Sequence, residues 1–191
     1  MDDGSIAQLA RASERHSGGS GFKSLCSHQE GERMRPWYET SSDLEAENAV
    51  AGEILGLTSK YKDWLNDLGA GFMADIAMRK LPVMTYKLDW CATRGKNIMA
   101  WAELKRRKIT FNQYPDIMIS VHKMAAGREL AIHTGINFVI FIAFLDGLGF
   151  HVVDLDKTYP MEYGGRTVAT RDSADIEPVC YIGVDQFFLF G

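Results

Sequence analysis

The sequence predicts an α/β sandwich around a mixed sheet, on three observations. An amphipathic helical stretch over residues 43–57 comes first. Three strand-like segments follow, 73–81, 83–92 and 97–107, the last two joined by Thr93-Arg94-Gly95-Lys96, a short polar link with a glycine that suits a hairpin. A long helical period then runs to Gly135 and gives way to an apolar segment, 137–145, that reads as a buried strand. Helix, three-strand antiparallel meander, long helix, strand: that order is the basis of the fold class.

The first helix carries Leu44, Val50, Ile54 and Leu57; Ser41, Ser42 or Asp43 can cap it, and Glu45 and Glu47 sit where the helix dipole favours acids. Residues 61–68 predict a short amphipathic turn, ended by Gly69-Ala70-Gly71. Pro115 suits the first turn of the long helix, since its missing N–H costs little there, and Ile117, Met118, Val121, Met124, Ala125, Leu130 and Ile132 follow at helical spacing. Asp146-Gly147 turns the chain into a strand near 150–155, and residues 164–190 read as a loop and a terminal strand.

Length and composition bound the function classes. A chain of 191 residues accommodates one domain with a substantial core, and 46% hydrophobic with 24% charged residues is a globular composition. The longest apolar run is interrupted by Asn137 and Asp146, far short of a bilayer span, and the acidic start Met1-Asp2-Asp3 lacks the features of a secretory signal. Cys26, Cys91 and Cys180 have no metal-binding or disulfide spacing. A cytoplasmic protein, in a bacterial or phage-infected cell, is the expectation. The net charge of −4 argues against a surface coated for bulk nucleic-acid binding. Locally, however, Arg94, Lys96, Lys105, Arg106, Arg107 and Lys108 face a single acid, Glu103, which predicts one positive edge.

Residues 1–33 are rich in Ser, Gly, Arg and His without an apolar period and read as a disordered leader ahead of a single domain over 34–191. The segments beginning Gly4-Ser5-Ile6 and Gly19-Ser20-Gly21 are similar to a transfer-RNA gene translated as coding sequence, so the expectation is that translation starts at Met34. Native protein whose intact mass begins at Met1 overturns it.

The chemistry is carried by two interruptions of apolar strands. Ile98-Met99-Ala100-Trp101-Ala102 ends in Glu103-Leu104-Lys105, and on a strand positions two apart share a face. Asp89 likewise interrupts Tyr86-Lys87-Leu88-Asp89-Trp90, and the hairpin places it roughly opposite positions 100–102. Buried charges need partners, a metal or solvent. Two carboxylates beside a lysine suit Mg²⁺, with Mn²⁺ as a substitute, because hard cations take oxygen ligands and keep waters for chemistry. An isolated Glu-x-Lys on a strand is usually only a surface ion pair; here both acids fall on apolar strands in the predicted order.

Asp89, thirteen intervening residues and Glu103-Leu104-Lys105, set between an acidic helix and a long helix, resemble the PD-(D/E)xK nuclease superfamily, with its restriction-endonuclease-like core. Lys87-Leu88-Asp89, Ala102 to Arg107, Tyr114-Pro115, Ser120, Lys123 and Asp146-Gly147 look like phage-encoded nucleases of this type, as do Gly164-Gly165-Arg166 and Asp175-Ile176-Glu177-Pro178 in the tail; Leu88 stands where the motif has proline. The resemblance implies a metal-dependent nuclease acting on DNA. In it Asp89, Glu103 and the Leu104 carbonyl hold the metal and Lys105 assists the attacking water. It also implies a glutamate from the first helix: Glu47, with Glu53 and Glu45 as rivals. Arg94, Lys96, Arg106, Arg107, Lys108 and Lys123 are the expected nucleic-acid contacts, although Lys123 also reads as a snorkelling lysine on an apolar helix face. Net acidity leaves room for a homodimer or protein partner to supply further positive surface. The alternative is a non-catalytic nucleic-acid-binding or phage accessory protein that retains the fold.

Overall fold

Helix α1 (Ser41–Lys60) begins where its backbone amides find a partner. The cap is Thr40 rather than Ser41, Ser42 or Asp43: its hydroxyl accepts from the Asp43 amide at 3.2 Å, and the Asp43 carboxylate accepts in return from the Thr40 amide at 3.2 Å. The computed structural model to which this helix belongs describes residues 40–165 and 176–191, so the expectations placed on the leader 1–33, on Arg166 and on Asp175 lie outside it. Helix α2 (Lys62–Asp67) is the short turn expected at 61–68.

The meander forms as expected from β1 (Ala77–Lys80), β2 (Trp90–Arg94) and β3 (Asn97–Arg106), all antiparallel. Gly95, at φ 62°, makes the tight β2–β3 turn that a side chain would strain. The segment 83–92 is not one strand. Pro82 instead opens a helical turn, α3 (Val83–Tyr86), its carbonyl accepting from the Thr85 and Tyr86 amides at 3.0 and 3.1 Å; Lys87 then takes a φ of 57°, and the strand starts only at Trp90.

A second correction falls at 116–120. These residues form β4 (Asp116–Ser120), and the long helix, α4 (Val121–Thr134), starts after them. Within Asp116-Ile117-Met118-Ile119-Ser120 the buried residues are Ile117 and Ile119, a period of two, which outweighs the coarser helical spacing of the wider window. Pro115 therefore opens no helix, and its carbonyl accepts from the Val184 amide at 2.8 Å. Beyond α4 come β5 (Phe138–Ala143), β6 (Leu148–Val152), β7 (Met161–Gly165), β8 (Ile176–Gly183) and β9 (Phe188–Phe190).

Six strands make the main sheet in the order β1-β2-β3-β5-β6-β9, in which only β3 and β5 run parallel, with α4 in the crossover between them. This mixed sheet with flanking helices is the restriction-endonuclease-like core. Strands β4, β8 and β7 make a second, antiparallel sheet that the tail's appearance as a loop did not foretell.

Alternation along β3 and β5 divides the core in two. Ala102, Leu104, Val139 and Phe141 pack with Ile54 of α1 and Leu65 of α2. Trp101, Phe138, Ile140 and Ile142 pack with Met124 and Ala131 of α4 and with Ile117, Ile119 and Ile182 of the second sheet. Strand β5, covered on both faces, is the continuous apolar run expected of a buried strand. By the same alternation Glu103 and Lys105 share the α4 face with Trp101. Cys91 and Cys180 are buried free thiols, and no helix among the described residues is long and apolar enough to cross a membrane.

Candidate active site

The β2–β3 ladder pairs Trp90 with Ala102 and Cys91 with Trp101, so one step further places Asp89 across from Glu103. That is closer to direct opposition than hairpin counting predicted, because the register shifts at Ala92/Thr93. Asp89 lies just ahead of β2 and is anchored through its carbonyl, which accepts from the Leu81 amide at 2.8 Å.

Four side chains meet here. Glu103 has no solvent exposure, and Lys105 Nζ lies 2.6 Å from its Oε1. From the first turn of α4, Lys123 donates to Asp89 Oδ1 at 2.7 Å and lies 3.7 Å from Glu103 Oε2. The two carboxylates are therefore no farther apart than the sum of those distances. Both oxygens of Glu103 are buried against lysine ammoniums, Oε1 at 2.6 Å from Lys105 and Oε2 at 3.7 Å from Lys123, an arrangement with unused acceptor capacity. Burial by itself would lower the Lys105 pKa; the adjacent Glu103 carboxylate, aided by Asp89, more than offsets this and holds the ammonium above its ordinary value.

The other predicted residues divide. Leu104 packs its side chain into the opposite core, leaving only its backbone as a donor to this face. Among the acids of α1, Glu45 and Glu53 are exposed and Glu47 is the one turned toward the sheet. Its Oε2 lies 2.5 Å from Lys80 Nζ, which also stands 4.9 Å over the Trp90 ring. Among the described residues no three His, Cys, Asp or Glu side chains converge, so Asp89 and Glu103 meet without Glu47.

The predicted positive edge is split. Arg94 donates to the carbonyls of Gly71, Phe72 and Ala74, tying β2 to the chain ahead of β1, and Lys96 is exposed at the hairpin turn, about 23 Å from Glu103 along β3 at the usual rise per residue. Arg107 donates to the Met118 carbonyl at 3.0 Å. Arg106 and Lys108 are exposed at the acidic end of β3, close enough to act electrostatically on Asp43. Lys80 was not singled out by sequence reasoning, and Lys123 was placed on nucleic acid rather than on the acids. The available signal was Gly127, four residues after Lys123 and so on the same helix face, which marks that face as closely packed.

A second polar cluster has no counterpart in the sequence expectations. His151 is buried, with Nδ1 2.9 Å from the Gln186 carbonyl and Nε2 3.0 Å from the Tyr159 hydroxyl. His122 and His133, by contrast, are exposed.

Comparison with known proteins agrees with the geometry at the level of family. No curated protein matches the chain. Among solved structures, Hjc, a Holliday junction resolvase from the archaeal hyperthermophile Archaeoglobus fulgidus, is 17% identical, with 63% of this chain and 85% of that chain covered and a TM-score of 0.36. Residues 33–189 match the family described as "Phage putative PDDEXK endonuclease", and the chain belongs to that family.

Proposed function

We propose that this nuclease hydrolyses DNA phosphodiester bonds with a divalent metal, Mg²⁺ or in its place Mn²⁺, held by Asp89, Glu103 and the backbone carbonyl of Leu104. The observation that carries the reading is Glu103: a fully buried carboxylate with acceptor capacity to spare, sharing one cation with Asp89. Such a donor set fits a hard cation, which needs no directional hydrogen bond and accepts carboxylate oxygens. A cation there would polarise the phosphoryl oxygen and acidify a bound water.

The chain's own residues do the rest. Lys105, carried on the rigid β3 two positions from Glu103, presents an ammonium that orients the attacking water and donates to charge developing on the phosphate. Arg106 and Lys108 offer the flanking phosphates a charge contact that salt weakens. Glu47 joins as a further ligand only by exchanging Lys80 for the metal. Its present engagement is what favours the second reading, a fold-retaining nucleic-acid-binding protein without turnover.

A cleavage panel of single-stranded, duplex and branched DNA, with RNA alongside, decides between the two. The full chain with Mg²⁺ or Mn²⁺ should cut at least one DNA, and Lys105→Ala should lose roughly 10²–10⁴-fold, the range for a group acting on the transition state. Salt-sensitive binding without cleavage anywhere in the panel establishes the non-catalytic reading.

A further inference from the structure

Two carboxylates and two ammonium groups share the site, so their formal charges cancel before any metal arrives. A divalent cation added to that cluster would bury an excess of positive charge, which a low-dielectric pocket does not tolerate. One ammonium must leave as the metal enters. The two lysines are not equivalent in this respect. Lys105 contacts Glu103 from the same strand and is 30% exposed at the sheet's end, beside the acids rather than between them. Lys123 reaches in from α4 and, among the described residues, is the one whose ammonium lies within 4.0 Å of both acids, at 2.7 Å from Asp89 and 3.7 Å from Glu103. It stands where a metal shared by the two acids must lie. Its flexible four-carbon stem lets the ammonium move while α4 stays packed.

We propose that Lys123 is a resident counter-ion that the metal displaces: it holds Asp89 and Glu103 together in the metal-free protein, and metal loading exchanges its ammonium for the divalent cation. This rests on the metal-site reading above. Lys123 is thereby a positioning residue, keeping two like charges in register until the metal takes over.

Mn²⁺ titrations of the full chain by calorimetry test the exchange independently of cleavage. Removing the competitor in Lys123→Met should tighten Mn²⁺ binding about tenfold, the scale of one charge-assisted hydrogen bond given up by the wild type. Lys123→Arg, which keeps the cation, should stay near wild type. Lys123→Met should also melt lower without metal and gain more from saturating Mn²⁺. On the wild type itself, amine-reactive labelling read by mass spectrometry should find Lys123 protected without metal and reactive with Mn²⁺, an outcome that does not depend on the Met variant folding. If wild type binds Mn²⁺ through Asp89, as shown by loss in Asp89→Ala, yet Lys123→Met binds no tighter or Lys123 labelling ignores the metal, the exchange is wrong and the metal site stands. If neither wild type nor Lys123→Met binds Mn²⁺ in an Asp89-dependent way, the metal site falls and the exchange with it.

Discussion

The position of α4 against the sheet decides whether Lys123 reaches the acids, and Gly127 sets that position. A Cβ built on Gly127 would lie 2.3, 2.4 and 2.5 Å from three ring carbons of Phe138, whereas carbon atoms pack at about 3.5–4.0 Å. Gly127→Ala therefore forces the ring or the helix to retreat by roughly an ångström. Phe138 has no exposed surface and opens β5 in register with Trp101, so its ring has no solvent to swing into. Overpacking of this kind costs about 1–3 kcal/mol, and a clash with a closed aromatic site belongs at the upper end. Replacing a helical glycine by alanine returns about 1 kcal/mol, leaving a net loss of about 2 kcal/mol. For a protein of this size that is a fall in Tm of about 4–8 °C. Gly52 of α1, with nothing within 4 Å of an added Cβ, is the matched control, and Gly52→Ala should raise stability by about 0.5–1 kcal/mol. Urea and thermal unfolding of both variants measure the pair. Gly127→Ala as stable as wild type, with Gly52→Ala behaving as expected, would show that α4 does not approach β5 this closely and would remove the structural basis for Lys123 meeting Asp89.

Two further outcomes follow from the geometry. Burial, reinforced by the charge of Lys157, holds the His151 pKa below its ordinary 6.5 despite the Gln186 carbonyl and Asp154, so the folded protein keeps this ring neutral. Its contribution to stability is full above pH 6.5 and is lost as pH falls below it toward the folded pKa. Melting between pH 8 and pH 5 should consequently decline more steeply for wild type than for His151→Gln, and parallel curves would refute the assignment. Arg94→Met should destabilise the fold while leaving DNA binding unchanged, since its donors serve backbone carbonyls; the double change Arg106→Ala with Lys108→Ala should weaken DNA binding and reduce its salt slope by about two while sparing stability. Filter binding at several salt concentrations combined with thermal melts separates the two, and the reverse pattern would return the nucleic-acid contact to the hairpin end.

What was legible in the sequence was local. A strand that buries Ala100, Ala102 and Leu104 on one face and Trp101 on the other announces itself by alternation, and an acid at position 103 of such a strand is conspicuous because it interrupts an apolar face. What misled was competition between signals of similar strength. Residues 116–120 satisfy a helical window and a strand period together, and only pairing with β8, about sixty positions away, resolves them as a strand. Residues 83–86 have strand composition, yet Pro82 provides a carbonyl for two amides and turns the chain first.

The site shows the same limit in chemical form. Burial of Glu103 tells a reader that a cation must be near, since an unpaired carboxylate in the core is among the costliest defects a fold can carry. It does not tell which cation. Lys80, Lys105 and Lys123 are equivalent to any pattern of charge along the chain, and the fold separates them by geometry: Lys105 by the two-residue period of β3, Lys80 by the face it shares with Trp90 and Glu47, Lys123 by a helix whose distance from the sheet depends on one glycine. Lys123, delivered from a separate helix, spans both acids, whereas Lys105, on the same strand as Glu103, pairs with that acid from one side. Which lysine pairs with which acid thus lies in which element supplies it, and that is a property of packing rather than of composition.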